Sequence, residues 1–156
     1  MNKTIIIGVG NPILGDDAVG IEVVRGLKNR IDDPSIDIVE AYTGGFNLLD
    51  IILGYERAVI IDAVVSPNNA GEIKKIDLEE LPSHNSWNPH DVSFYEAIKL
   101  AERLGEDRIP KEMILFAIMI PSIQLEFREK LSSVVRKSIT KAINEVLREV
   151  KTIYGR

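Results

Sequence analysis

The sequence predicts an α/β fold, a mostly parallel sheet carrying helices on both faces. Three observations predict it. Apolar runs rich in β-branched residues at 4–9, 58–65 and 113–120 have the pattern of strands covered on both sides. Helical periodicity fills the intervals between them. A more polar run at 72–78 follows the turn-like Ser66-Pro67-Asn68-Asn69-Ala70-Gly71, and it reads as an edge strand open to antiparallel pairing.

Each element has its own signal. The first strand holds Ile5, Ile6 and Ile7 and breaks at Gly8 and Gly10. Ile21, Val24, Leu27 and Ile31 then share one helix face, with Asp16 or Asp17 available as the cap. A weaker strand at 36–42 alternates at Ile36 and Ile38. A short helix after Gly45 carries Leu48, Leu49 and Ile52. The run at 58–65 is the third strand, and 113–120 is stopped by Pro121. Phe94, Ile98, Ala101 and Leu104 mark a helix that begins near Asp91, where Ser93 and Glu96 have capping-box spacing, and ends at Gly105. Phe127, Leu131, Val134, Ser138, Ala142 and Leu147 trace the inner face of a long last helix.

The 156 residues fit one domain, 1–156, large enough to bury a core without staples. A net charge of −5 argues against nucleic acid as a partner. With no cysteine there is no disulfide, no thiolate metal site and no cysteine nucleophile, in agreement with a reducing compartment. Neither a secretory leader nor an apolar run of membrane-spanning length is read, so the expected location is the cytoplasm.

In a sheet of this kind, ligands gather outside the carboxyl ends of the strands. Asp16 and Asp17 follow the first strand, and Asp62 follows Val59, Ile60 and Ile61 in the third. One acid suffices as a helix cap, so Asp16 is assigned to structure and Asp17 to chemistry. Asp62 needs donors or a cation, because burying an unsatisfied carboxylate is costly; loop N–H groups would serve as the structural alternative. Of the two histidines, His84 lies between Ser83 and Asn85 and reads as an exposed loop residue. His90, between Pro89 and Asp91 at a helix start, can lean over the sheet edge, unless it simply faces solvent. Two carboxylates and one imidazole with open positions suit nickel, zinc, manganese or iron, and the residues do not choose among them.

Other machinery is missing. Neither a zinc-binding His-Glu-x-x-His helix nor a Gly-x-Ser-x-Gly elbow is present. Gly8 and Gly10 begin a dinucleotide fingerprint, but Ile13 takes the third glycine's place, and two acids at the helix start would repel a pyrophosphate.

Gly8-Val9-Gly10-Asn11-Pro12 followed by Gly15-Asp16-Asp17-Ala18-Val19-Gly20, Asp62 within Ile60-Ile61-Asp62-Ala63, and His90 within Asn88-Pro89-His90-Asp91 together resemble the nickel-iron hydrogenase maturation endopeptidases. The resemblance spans essentially the whole chain. It implies a three-layer α/β/α sandwich on a five-stranded mixed sheet. It also implies an aspartic-type endopeptidase that removes the C-terminal extension of a [NiFe] hydrogenase large-subunit precursor once nickel is in place. Asp17, Asp62 and His90 would be the metal contacts, with nickel supplied by the substrate and no organic cofactor. Asp17 or Asp62 would be the candidate general base, and Gly10, Asn11, Asp16, Glu40 and Thr43 would support the site. One departure stands in Glu40-Ala41-Tyr42-Thr43-Gly44-Gly45, where Tyr42 replaces a residue that the family often keeps as glycine. It bears on which hydrogenase is the client. Two other readings remain: a non-catalytic metal- or partner-binding module on the same scaffold, and a peptidyl-tRNA hydrolase-like esterase. The latter shares the Gly-x-Gly-Asn-Pro opening but needs an early histidine and a basic surface.

Overall fold

The computed structural model describes residues 3–42, 46–79, 89–122 and 130–154, with the side chains at 46, 89–93 and 152–154 left out of that description. In chain order the elements are β1 (Thr4–Val9), a 3-10 turn (Gly15–Ala18), α1 (Val19–Lys28), β2 (Ile36–Ala41), α2 (Phe46–Ile52), β3 (Arg57–Val65), a second 3-10 turn (Pro67–Asn69), β4 (Ile73–Asp77), α3 (Pro89–Arg103), β5 (Glu112–Ile120) and α4 (Ser133–Tyr154).

The five strands form one sheet in the order β2-β1-β3-β5-β4. β1 is parallel to β2 and β3, and β3 is parallel to β5. β4 lies antiparallel to β5 at the edge, as its polar composition suggested.

The pleat divides the core in two. Ile5, Ile7, Ile60 and Val64 face α2 and α3, packing with Leu48, Leu49, Ile52, Phe94 and Ile98. Ile6, Val59 and Ile61 face the other way, onto Val23, Val24 and Leu27 of α1 and Ala142, Val146 and Val150 of α4. Three layers result, because each strand sends alternate side chains into opposite cores.

Glycine permits the tight seam between α1 and the sheet. A Cβ on Gly8 would stand 2.3 Å from the Gly20 carbonyl oxygen. On Gly20 it would stand 2.4 Å from that of Ile61 and 2.8 Å from that of Val9. The helix therefore begins pressed onto the place where β1 and β3 separate.

Several expectations are corrected. Neither Asp16 nor Asp17 caps α1; a 3-10 turn comes first, and no side chain caps either start. Ile31 lies beyond the end of α1, though it still packs on the core. β2 ends at Ala41, leaving Tyr42 outside the strand and 59% exposed. α3 starts at Pro89, so Ser93 is an interior position and not a cap. Leu104 falls past the last turn of α3 and is 78% exposed. In α4 the inner stripe runs through Val135 while Val134 is exposed. Leu131 precedes that helix, and Phe127 lies outside the described residues.

Candidate functional site

The chain runs from β1 through α1 to β2 on one side, then returns through α2 to β3 on the other. β1 and β3 therefore flank the topological switch point, the crevice where such sheets bind ligands. The last β1–β3 pair is Gly8 with Ile61, whereas β3 continues beside β5 as far as Val65. Asp62 is the first residue of β3 beyond its last pairing with β1. Alternation turns its side chain toward the face covered by α2 and α3. It is 4% exposed, and its Oδ1 accepts the Ala63 N–H at 2.8 Å, so a backbone donor does help to satisfy it.

The segment after β1 folds back on the strand end. Gly10 donates its N–H to the Ala41 carbonyl at 3.1 Å, continuing the β1–β2 pairing. A Cβ on Gly10 would lie 2.1 Å from the Asp17 carbonyl oxygen, so only glycine lets the chain fold back this closely. Asn11 accepts the Ile13 N–H on its Oδ1 at 3.1 Å and gives its own N–H to Asp17 Oδ2 at 2.9 Å. The Asp17 carboxylate is thereby tied to the strand end it follows. The 3-10 turn that carries it packs against β3.

Its neighbour behaves differently. Asp16 is 1% exposed, and its Oδ1 accepts the Ser132 N–H at 2.7 Å, immediately before α4. Adjacent in sequence, the two acids thus serve separate parts of the fold. Sequence reasoning missed Ser132, for it stands 116 positions away and the expected last helix, begun as early as Phe127, ran through it.

Glu40, near the end of β2, has its carboxylate fully engaged. Arg25 donates to it from Nε and Nη2 at 3.0 Å each, Lys28 lies 3.4 Å away, and the Tyr42 hydroxyl donates at 2.8 Å. The Arg25 hydrogen bonds, assisted by Tyr42 and opposed by burial, hold the Glu40 carboxyl down at about 2. The same contact raises the Tyr42 phenol above its ordinary value. Glu40 is therefore braced against α1, and Tyr42 is held to it.

The third expected metal contact, His90, belongs to the first turn of α3. α3 leads into β5, a strand parallel to β3, so a helix returning to the start of β5 has its own first turn toward the carboxyl ends of the strands. The imidazole itself lies outside the described residues, as do Thr43 and His84. Among the described residues, no three of His, Asp and Glu come together as a metal site. At the crevice stand Asp62, one position past the β1 ladder, and the short turn that carries Asp17, which packs against β3. Hard oxygen donors of this kind suit a divalent cation, and one carboxylate can also take a proton from water. No helix among the described residues is long and apolar enough to cross a membrane.

Comparison with known proteins agrees with this architecture. The hydrogenase maturation protease family (HycI) matches residues 21–149. The hydrogenase 2 maturation protease of Escherichia coli K12 is 30% identical over 149 residues, covering 93% of this chain and 88% of the relative. A putative hydrogenase maturation protease of Methanocaldococcus jannaschii is 28% identical over 151 residues, covering 94% and 96%. Among solved structures, the hydrogenase maturating endopeptidase HybD from E. coli superposes with a TM-score of 0.80 at 30% identity, over 96% of this chain and 93% of that one. The [NiFe] hydrogenase maturation protease HybD from Thermococcus kodakarensis superposes with a TM-score of 0.71 at 25% identity, over 94% and 97%.

Proposed function

The chain belongs to the hydrogenase maturation protease family, and from that premise we propose that it cleaves the C-terminal extension from a [NiFe] hydrogenase large-subunit precursor after nickel has been inserted. One observation supports the reading: Asp62 stands at the switch point one position beyond the β1 ladder, on the strand against which the Asp17 turn packs. We assign Asp17, Asp62 and His90 as contacts to the substrate's nickel, with no organic cofactor taking part.

The chain's contribution is positional. Asn11 and Gly10 hold the Asp17 turn against the strand end, while the rigid β3 fixes Asp62. A precursor anchored through its nickel presents its scissile bond at a set place, and orientation of this kind lowers a barrier substantially. Asp17 or Asp62 then acts as general base on the attacking water, which is the sense in which we place the enzyme with aspartic-type peptidases. Glu40 and Thr43 support the flank of the mouth, and Tyr42 narrows it toward a particular client. The Cys-free sequence supports a cytoplasmic reaction.

Incubating the protein with nickel-loaded precursor and weighing the products tests the proposal. Two masses that sum to the precursor plus one water, from a single cut near its C-terminus, are expected. An unchanged precursor mass, with the two proteins bound to each other, would instead assign the scaffold to binding alone.

A further inference from the structure

Asp16 has no part in the reading above, yet it is among the most deeply buried charged groups of the molecule. Its Oδ1 takes the Ser132 N–H at 2.7 Å, while Oδ2 is buried and has no partner among the described residues. The Ser132 carbonyl in turn accepts the Arg136 N–H at 2.9 Å, so Ser132 is part of the first turn's hydrogen bonding in α4. The first N–H groups of a helix lack partners within it, and a carboxylate there is favoured by the helix dipole. Asp16 supplies that acceptor from the far end of the sequence. On its other side, the next residue is the Asp17 that receives the Asn11 N–H. The short turn is therefore pinned at two consecutive residues, once to α4 and once to the end of β1.

We propose that Asp16 is a positioning residue for the proteolytic reaction: its bond to the N-terminus of α4 fixes the turn that presents the Asp17 carboxylate. The working part is the acceptor oxygen, and the negative charge is secondary. The inference rests on the assignment of Asp17 to the substrate's nickel. It extends that assignment by making the seat of α4 a determinant of the site's geometry.

The test compares kcat and KM for nickel-loaded precursor in Asp16→Ala, Asp16→Asn, Ser132→Pro and Asp17→Asn, each scaled to its folded concentration by circular dichroism. Asp16→Ala removes the acceptor and is expected to lose about 100-fold in kcat/KM, the scale of a misplacement near 1 Å. Asp16→Asn keeps a neutral acceptor of roughly half the strength and is expected to stay within about tenfold of the parent. Ser132→Pro deletes the donor N–H at the residue just ahead of α4, where no intrahelical bond depends on it, and it is expected to match Asp16→Ala, with the double variant no worse than either alone. If Asp16→Ala fails to fold, Ser132→Pro and Asp16→Asn decide between them. Equal losses in Asp16→Asn and Asp16→Ala would overturn the inference in favour of charge. Parental rates in folded Asp16→Ala or Ser132→Pro would overturn it outright. Parental cleavage by Asp17→Asn would sink the underlying assignment instead, whatever the Asp16 variants do.

Discussion

Arg57 opens β3 and Asp62 lies farther along the same strand, both nearly buried, yet their charges are met in different ways. Arg57 is enclosed by side chains of opposite sign: its guanidinium pairs with Glu149 of α4 and stands 3.3 Å from Glu112 of β5, and Glu149 is also paired with Lys75. At the other end backbone amides are among the partners of the carboxylates. Asp62 accepts from Ala63, Asp17 from Asn11 and Asp16 from Ser132. An ion pair cancels charge and ties elements together. A backbone N–H steadies a carboxylate without cancelling its charge. The contrast separates a lock from a site.

The largest expected effect breaks the comparison on the site's side. Asp62→Asn keeps the shape of the side chain and removes its charge, so cleavage of nickel-loaded precursor should fall by about 100-fold or more. Circular dichroism and the urea midpoint should stay close to the parent's.

Arg57→Met should do the reverse. It leaves Glu149 without its buried partner, and removing one member of such a pair costs about 3 kcal/mol. The loss should appear in the urea midpoint at unchanged slope, with cleavage per folded molecule unaltered.

Acid sharpens the picture at Glu40. Its carboxyl, ordinarily at 4.5, sits at about 2 in the folded chain through its Arg25 contacts. A carboxyl depressed by folding contributes fully above its unfolded value, and the contribution is lost as pH falls from 4.5 toward 2. Because Arg25 is half exposed, water screens the pair and the effect should be about 1 kcal/mol. Thermal melts between these pH values should therefore decline less steeply in Glu40→Gln than in the parent.

The smallest effect belongs to Tyr42→Phe. It deletes an exposed hydroxyl that donates to Glu40 at 2.8 Å, and the urea midpoint should report a change of about 0.5 kcal/mol or less.

What could be read in advance follows the same division. The strands were legible because runs such as Ile5-Ile6-Ile7 and Val59-Ile60-Ile61 are buried on both faces, and burial writes itself into composition. The edge position of β4 was legible in its lysines. Helix faces were read to within a residue: Leu104 was missed where the stripe was extended past the end of α3, and Val134 where the inward position is its neighbour Val135. That Asp17 follows β1 and that Asp62 lies near the carboxyl end of β3 could be anticipated from the positions of the acids after apolar runs. What could not be read was any bond across great sequence distance. Arg57 met Glu149 and Asp16 met Ser132 only after folding, and nothing local to either residue announces a partner on the last helix. The expectation that an acid caps α1 failed for the same reason: a distant N–H competed for Asp16, and a nearer one for Asp17.

The most direct measurement is the cleavage rate of one precursor preparation divided in two, one half loaded with nickel and the other metal-free. If Asp17 and Asp62 at the switch point read the substrate's metal, the loaded half is processed and the empty half is left intact. Equal rates on both halves would contradict the account.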